Sequence, residues 1–395
     1  RSTVTNLLSL SKTVAKSLDK RIQVDVVYTD FEKAFDKVCH KLLLKKLSSF
    51  GLSDGLTHLF ESYLCDRRQF VIYGGCLSRE YFTTSGVPQG SNLGPLLFLL
   101  FINDINTAIR NSQFLLYADD LKLIKNIQSV ADFHSLQRDL DSLWRWASFN
   151  RLPLSVGKCQ IMSFSRSRSP SEFSYCLGGN LLARKTFVKD LGVIFESKWK
   201  FSLHIDDVCA RSSKMLGFVM RNAHYFDNPS VMRVLYDTLV RSILESGSII
   251  WNPRTTKYSL LIEKIQKRFL RYLYLRTFGR YPFLYPSAFI LGALGYDTLT
   301  SRRKLYIAKH FFKLLRGVVD NPTILEEVQL WVPEIPRESR SRPLLMPVRA
   351  RTSALADSPM AIAIQLLNKL ALHIDLFNGS YNELVRFMSF NYKIL

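Results

Sequence analysis

Phe114-Leu115-Leu116-Tyr117-Ala118-Asp119-Asp120-Leu121-Lys122-Leu123-Ile124 consists of two short apolar runs around an Ala-Asp-Asp tip. It reads as a β-hairpin that presents two carboxylates at its turn. Taken alone the pair is an ordinary turn, because Asp is favoured there for local hydrogen bonding. Its meaning depends on what surrounds it. Upstream, residues 22–30 are rich in β-branched side chains and end in Asp30, the pattern of a strand with an acid at its C-terminal end. Between them the spacing predicts helices at 39–50 and 54–65, parted by Gly51 and Ser53. A hairpin at 68–73 and 76–84 about Gly74-Gly75 comes next, then a loop at 85–90 and a helix at 93–111.

Downstream of the tip a long helix is expected at 129–149, and strands at 159–165, 173–177 and 187–195, with Gly178-Gly179-Asn180 as a turn. An amphipathic helix carrying Leu7, Leu8, Val14, Ala15 and Leu18 opens the chain. Beyond residue 202 the texture becomes helical and rich in Arg, Lys and aromatics, as at 262–277, while 333–352 is a loop rich in Pro, Arg and Ser. The first part is therefore α+β and the second mostly helical, with the natural division near 195–202.

Nearly half of the 395 residues are hydrophobic, which excludes a disordered chain and allows two or more domains. Lys and Arg number 54 against 33 acids, a net charge of +21. Residues 1–150 carry 18 basic and 15 acidic side chains (+3), and 151–395 carry 36 and 18 (+18). A strongly basic body beside a nearly neutral one suits a polyanionic partner held next to a chemical site. The six cysteines are scattered, without a Cys-x-x-Cys pair or a His at zinc-finger spacing, which argues against a structural zinc site and fits a reducing intracellular compartment. The longest apolar run, 95–102, is too short to span a bilayer. The chain starts at Arg1 without Met and with no signal peptide, and is expected to be a fragment of something longer.

One acid at a strand end and two at a neighbouring hairpin tip are what a two-metal phosphoryl-transfer site requires. Two ions about 3.5–4 Å apart stabilise the attacking and the leaving oxygen together. Mg²⁺ takes oxygen ligands, a few of them carboxylates and the rest phosphate and water.

The wording around the acids is specific. Val27-Tyr28-Thr29-Asp30-Phe31-Glu32-Lys33-Ala34-Phe35-Asp36 resembles the first palm motif of reverse transcriptases, especially those of non-LTR (LINE-type) retrotransposons. Ser85-Gly86-Val87-Pro88-Gln89-Gly90-Ser91-Asn92-Leu93-Gly94-Pro95 resembles the second, and Tyr117-Ala118-Asp119-Asp120 the third, the metal-binding hairpin. Leu152-Pro153-Leu154-Ser155 with Lys158 is similar to the fourth, and Leu191-Gly192-Val193 to the fifth. The resemblance covers roughly residues 1–205, with Trp251-Asn252-Pro253 the most recognisable piece beyond it.

The resemblance implies an α+β right-hand polymerase palm over 21–198, preceded at 1–20 by a remnant of fingers. A helical thumb-like region follows at 199–330, then an Arg-rich loop and helical tail of unassigned role at 331–395. It implies an RNA-directed DNA polymerase in which Asp30 and Asp119 bridge two Mg²⁺ ions (or Mn²⁺) and Asp120 assists. Tyr117, beside the metal-binding acids, would be among the nucleotide- and template-binding residues. Phe35 would underlie the incoming sugar and exclude a ribose 2′-hydroxyl. Gln89 and Gly90 would contact template and nucleotide, and Lys158 would serve the departing pyrophosphate. The fourth motif departs from the family pattern, with Ser155 where Asn is usual and an added Pro153.

The partners implied are an RNA template, a DNA primer or nicked target DNA, and dNTPs. No membrane is involved, and the setting would be the nucleus or a cytoplasmic ribonucleoprotein. Triphosphate-gripping fingers, an upstream endonuclease and a C-terminal Cys/His cluster are expected in a full element protein and missing from this stretch. A catalytically idle remnant that only binds nucleic acid is the rival reading. A maturase-like RNA binder fits the wording less well, and Phe35 disfavours an RNA-making palm polymerase.

Overall fold

The computed structural model describes residues 2–226, 228–331 and 343–390. Arg1, and the expected Pro/Arg/Ser-rich loop from its start to residue 342, lie outside the described residues, as does the end of the helical tail at 391–395. The fold is α+β, as expected, and divides into two compact units. One is Arg21–Thr186; the other combines Arg1–Lys20 with Phe187–Leu395.

The first unit is built on a five-stranded sheet among the described residues, in which Ala183–Arg184, Gln160–Phe164, Gln23–Thr29, Asp120–Ile127 and Gln113–Tyr117 lie side by side in that order. Strand β1 (Gln23–Thr29) is buried along its whole length, as a central strand covered on both faces must be. It pairs antiparallel with β7 (Asp120–Ile127), Gln23 opposite Ile127 and Thr29 opposite Leu121. On its other side it pairs antiparallel with β8 (Gln160–Phe164). Strand β6 (Gln113–Tyr117) closes the hairpin with β7, and β11 (Ala183–Arg184) adds a short parallel edge to β8. Two small hairpins lie in the same unit. Strands β2 (Arg68–Gln69) to β5 (Tyr81–Phe82) enclose β3 (Ile72–Tyr73) and β4 (Cys76–Leu77), and β9 (Cys176–Leu177) pairs with β10 (Asn180–Leu181).

Apolar faces of α2 (His40–Ser49), α4 (Leu93–Ile102) and α5 (Val130–Phe149) meet one face of the sheet, with Leu43, Leu47, Leu97, Phe98, Leu136 and Leu140 packed in a core with Val27, Leu123 and Ile161. Helix α3 (Asp54–Leu64) packs beside α2 and adds Leu64 to that core. The helix expected at 93–111 stops at Ile102, where a 3₁₀ turn (Asn103–Thr107) takes over. The reason is side-chain competition. Asp104 accepts from Lys46 Nζ (2.8 Å) and Trp146 Nε1 (3.2 Å), and Asp139 captures the backbone N–H groups of Arg110 and Asn111.

In the second unit the stretch expected as one strand at 187–195 is a hairpin, β12 (Phe187–Asp190) with β13 (Val193–Glu196). Leu191 (φ 44°) and Gly192 (φ 87°) form its two-residue turn, and paired positive φ values are what a tight hairpin demands. The unit begins at Phe187 rather than after residue 198 because this hairpin packs with α6 (Ser202–Asn222). Glu196 accepts from Ser202 Oγ (2.8 Å) and the Leu203 amide (3.0 Å), and the rings of Phe195, Trp199 and Phe201 cluster within about 5.5 Å.

Helix α1 (Thr3–Asp19), capped by Ser2, also belongs here. Lys12 bonds Thr323 O (2.7 Å), Lys16 pairs with Glu327, and Asp19 accepts from the Arg351 amide and the Thr352 hydroxyl. The longest helices beyond α6 are Thr256–Phe278 and Leu299–Leu315. No helix among the described residues is long and apolar enough to cross a membrane.

Candidate active site

Everything in the site hangs from the C-terminal end of β1. The β1–β7 register ends with Thr29 opposite Leu121, so Asp30 follows directly on β1 at the end of the sheet where β7 begins with Asp120. Thr29 Oγ1 donates to Leu121 O (3.0 Å) and fastens the strand end to the hairpin. Tyr117 pairs with Asp120 across a two-residue turn, so Ala118 and Asp119 form the tip. Ala118 sits at φ 51°, a left-handed conformation that costs an L-residue roughly 1–2 kcal/mol. Strain of this kind persists where the surrounding structure dictates it, and it gathers at functional sites.

Two further segments are zipped onto the chain after Asp30. On one side the Ser155 amide donates to Asp30 O (2.8 Å) and the Glu32 amide to Pro153 O (2.9 Å), so the 152–158 segment runs against 30–32. This places Lys158 Nζ 3.2 Å from Asp30 Oδ2. On the other side the Gly86 amide donates to Val38 O and the Val87 amide to Phe35 O, each at 2.8 Å. His40 Nε2 lies 2.7 Å from Gly86 O, and Ser85 Oγ donates to Asp36 O (2.8 Å). Gly86 has φ 91°, and a Cβ there would stand 2.7 Å from Asp36 O. Only glycine allows that approach.

Gln89 Nε2 donates to Asp36 Oδ1 (2.8 Å), so Gln89 is tied to the loop that carries Phe35. Phe35 is half-buried and stacks on Phe98, ring centroids 4.4 Å apart. Gly90 takes φ 80° with no protein atom within 4 Å of where a Cβ would lie. Its glycine requirement comes from backbone conformation, and the space beside it is open.

A family model described as reverse transcriptase (RNA-dependent DNA polymerase) matches residues 3–219, more than half of the chain. The chain belongs to the reverse transcriptase family. It is 32% identical over 198 residues to the RNA-directed DNA polymerase from mobile element jockey of Drosophila funebris, a match covering 48% of this chain and 21% of the relative. It is 26% identical over 282 residues to the probable RNA-directed DNA polymerase from transposon BS of Drosophila melanogaster, covering 68% of this chain and 31% of that one. The chain thus spans between a fifth and a third of the length of these relatives. A solved telomerase from Candida albicans aligns over 81% of this chain and 46% of that one at 13% identity, with a TM-score of 0.36, too loose a likeness to carry an argument.

The first four reverse transcriptase motifs lie in one unit, with the Asp119-Asp120 tip, Lys158, Phe35 and Gln89 on segments that adjoin the end of β1, whereas the fifth, Leu191-Gly192-Val193, lies at the turn of the hairpin in the other unit. Among the described residues no three His, Cys, Asp or Glu side chains are drawn together as a ready metal cluster. The donor set nevertheless fits a hard cation, being carboxylate oxygen. Among the described residues Asp30 Oδ2 is buried with no hydrogen-bond partner, and the Lys158 ammonium lies against it. A buried carboxylate oxygen of this kind needs a positive partner, and a hard cation would serve as one.

Sequence reasoning overlooked several supports. Asp36 holds Gln89, Thr29 locks the hairpin, and the fully buried Asp25 anchors the sheet beneath, accepting from Gln23, Ser163 Oγ (2.6 Å) and Tyr175 OH (3.0 Å). Burial, then the adjacent Asp25 carboxylate, pushes the Tyr175 phenol above its ordinary value, so it stays protonated and donates. An acid inside an otherwise apolar strand was the available signal for Asp25.

Proposed function

We propose that this chain carries the nucleotidyl-transfer site of an RNA-directed DNA polymerase of a non-LTR retrotransposon, which extends a DNA primer along an RNA template with dNTPs. What supports the reading is the pairing of β1, which ends one residue before Asp30, with the hairpin that carries Asp119 and Asp120, inside a chain that belongs to the reverse transcriptase family. In this reading Asp30 and Asp119 hold two divalent ions and Asp120 assists. When bound, the ions (Mg²⁺, or Mn²⁺ in its place) supply charge stabilisation to the attacking and leaving oxygens.

The remaining residues act by position and charge. The primer 3′-hydroxyl attacks the α-phosphate and pyrophosphate leaves. Lys158, whose ammonium lies beside Asp30, would supply positive charge to the departing pyrophosphate. Gln89, braced by Asp36, and the open surface at Gly90 receive template and nucleotide. Phe35, braced by Phe98, lies under the sugar and excludes a 2′-hydroxyl. In the second unit Lys264, Lys267, Arg268 and Arg271 line a cavity of about 560 Å³ with Tyr281, and this cationic surface suits a nucleic-acid backbone.

Primer extension on an RNA template with dNTPs and Mg²⁺ tests the site. Asp119→Ala is expected to reduce extension by roughly 100-fold or more, and both Asp119→Ala and Asp30→Asn should weaken Mn²⁺ binding followed by electron paramagnetic resonance. Wild-type activity and Mn²⁺ affinity in those variants would sink the assignment. Tight RNA binding without extension by the intact chain favours the nucleic-acid-binding remnant instead.

A further inference from the structure

At the far end of the sheet from Asp30, roughly 20 Å away along the seven residues of β1, lies a second feature that polymerase chemistry leaves unused. Strand β8 runs out into Ser165-Arg166-Ser167-Arg168-Ser169-Pro170-Ser171, an alternation of serine and arginine closed by a Ser-Pro step. Residues 166–169 and 171 are exposed. The loop is nonetheless pinned. The Ser171 amide donates to Gln23 Oε1 (3.0 Å), Gln23 Nε2 to Ser171 O (2.8 Å), and Ser167 Oγ to Ser169 O (2.9 Å).

The loop forms one wall of a cavity of about 630 Å³. Arg21 and Arg166 line it, together with serines that include Ser129, Ser167 and Ser169, and no Asp or Glu contributes to its wall. Ser129 is the N-cap of the 20-residue helix α5, whose dipole adds positive potential at this end. Asp132, the acid of that first turn, is engaged by the cap itself, accepting from the Gln128 and Ser129 amides. A cavity lined by two arginines and several serines, with no acid among the described lining residues, suits a dianion with several acceptor oxygens.

We propose that Ser169 is a phosphorylation site, read by a serine kinase that recognises arginine at −3 and −1 (Arg166 and Arg168) and proline at +1 (Pro170). The resulting phosphoserine is held in the cavity by Arg21 and Arg166. The kinase transfers the γ-phosphoryl group of a nucleoside triphosphate. An Oγ–P bond forms as the β–γ bridging P–O bond breaks, nucleoside diphosphate leaves, and the hydroxyl proton passes to the kinase's base and then to solvent. The two arginines then bind the new phosphate oxygens through charge-assisted hydrogen bonds and fix the loop against the end of the sheet. This inference is independent of the polymerase reading.

The test treats the full chain with magnesium ATP and a purified proline-directed serine kinase that accepts arginine at −3, and maps the product by tandem mass spectrometry. Label is expected on Ser169 and is lost in Ser169→Ala. Label confined to other serines overturns the proposal. The second arm titrates the phosphoserine by ³¹P NMR. A free phosphoserine has its second pKa near 6. In the cavity it is expected roughly half a unit or more lower, and to rise back in Arg21→Asn. Asn suits the left-handed backbone that Arg21 adopts (φ 60°), which keeps the variant folded. Identical titrations in the wild-type chain and Arg21→Asn overturn the arginine cradle.

Discussion

Phe35 shows how one side chain holds two obligations. Its ring stacks on Phe98 in the core of the first unit, and its position five residues after Asp30 gives it the proposed role under the sugar. Replacing it with valine removes both. The stacking loss and the partial cavity are expected to cost roughly 1–3 kcal/mol, read from urea unfolding. Loss of the bulk that rejects a 2′-hydroxyl is expected to raise ribonucleotide incorporation relative to deoxynucleotide by roughly 10–100-fold. Because the ring is fixed from behind by Phe98 rather than by the nucleotide, leucine at 35 should keep much of the stability while relaxing selectivity less than valine does. If sugar selectivity is unchanged in Phe35→Val, the ring serves packing only.

At the scale of elements, the site is a zipper of loops onto one strand end. The 85–87 segment lies on 35–38 through backbone bonds that exist only because Gly86 has no Cβ. Gly86→Ala combines a disfavoured φ with overlap against Asp36 O, and is expected to cost roughly 2–4 kcal/mol and to loosen Gln89 from Asp36. A circular-dichroism melt and template affinity measured on the same preparation check both effects.

His204, in the first turn of α6, performs a comparable task in the second unit. Its Nδ1 accepts from the Ile194 amide of β13 (3.2 Å), while Nε2 is buried with no hydrogen-bond partner among the described residues. Burial, reinforced by Arg211, lowers its pKa from 6.5 to about 4. The folded chain keeps the ring neutral where the unfolded chain protonates it. Its contribution is complete above pH 6.5 and is lost as pH falls toward 4, by up to about 3 kcal/mol. Unfolding free energies of the wild-type chain should fall more steeply across that window than those of His204→Gln, and parallel slopes would remove His204 from the account.

These element contacts also mark what the sequence could reveal. The β-branched run of β1, the hairpin at 114–124 and the acids at their ends are local signals. The hairpin at 187–196 was hidden because Leu191, an apolar residue, occupies a turn position with positive φ. Contacts such as Lys16 with Glu327, or Ser155 with Asp30, join distant segments and leave no local periodicity to read.

Across the whole molecule the charge is divided unevenly. Residues 21–186 hold 20 basic and 15 acidic side chains, whereas residues 1–20 and 187–395 together hold 34 and 18. The proposed chemistry sits in the less charged unit, where three carboxylates must be brought together, and the excess of positive charge is carried by the other. On the helix Thr256–Phe278, Lys264, Lys267 and Arg268 are exposed, and Arg271 is braced by a bond to Pro282 O (2.8 Å). If these four groups neutralise phosphates, each releases counterions on binding and contributes roughly 0.7–0.9 to the slope of log affinity against log salt. Replacing all four with glutamine is therefore expected to flatten that slope by about 3 for a primer–template duplex, measured by fluorescence anisotropy from low to moderate salt. The same replacement should leave Mn²⁺ binding by the first unit unchanged, since the ligands proposed there are Asp30, Asp119 and Asp120. An unaltered salt slope would make the basic helix face a solvated surface, and a loss of Mn²⁺ binding would show that the two units do not divide the work in this way.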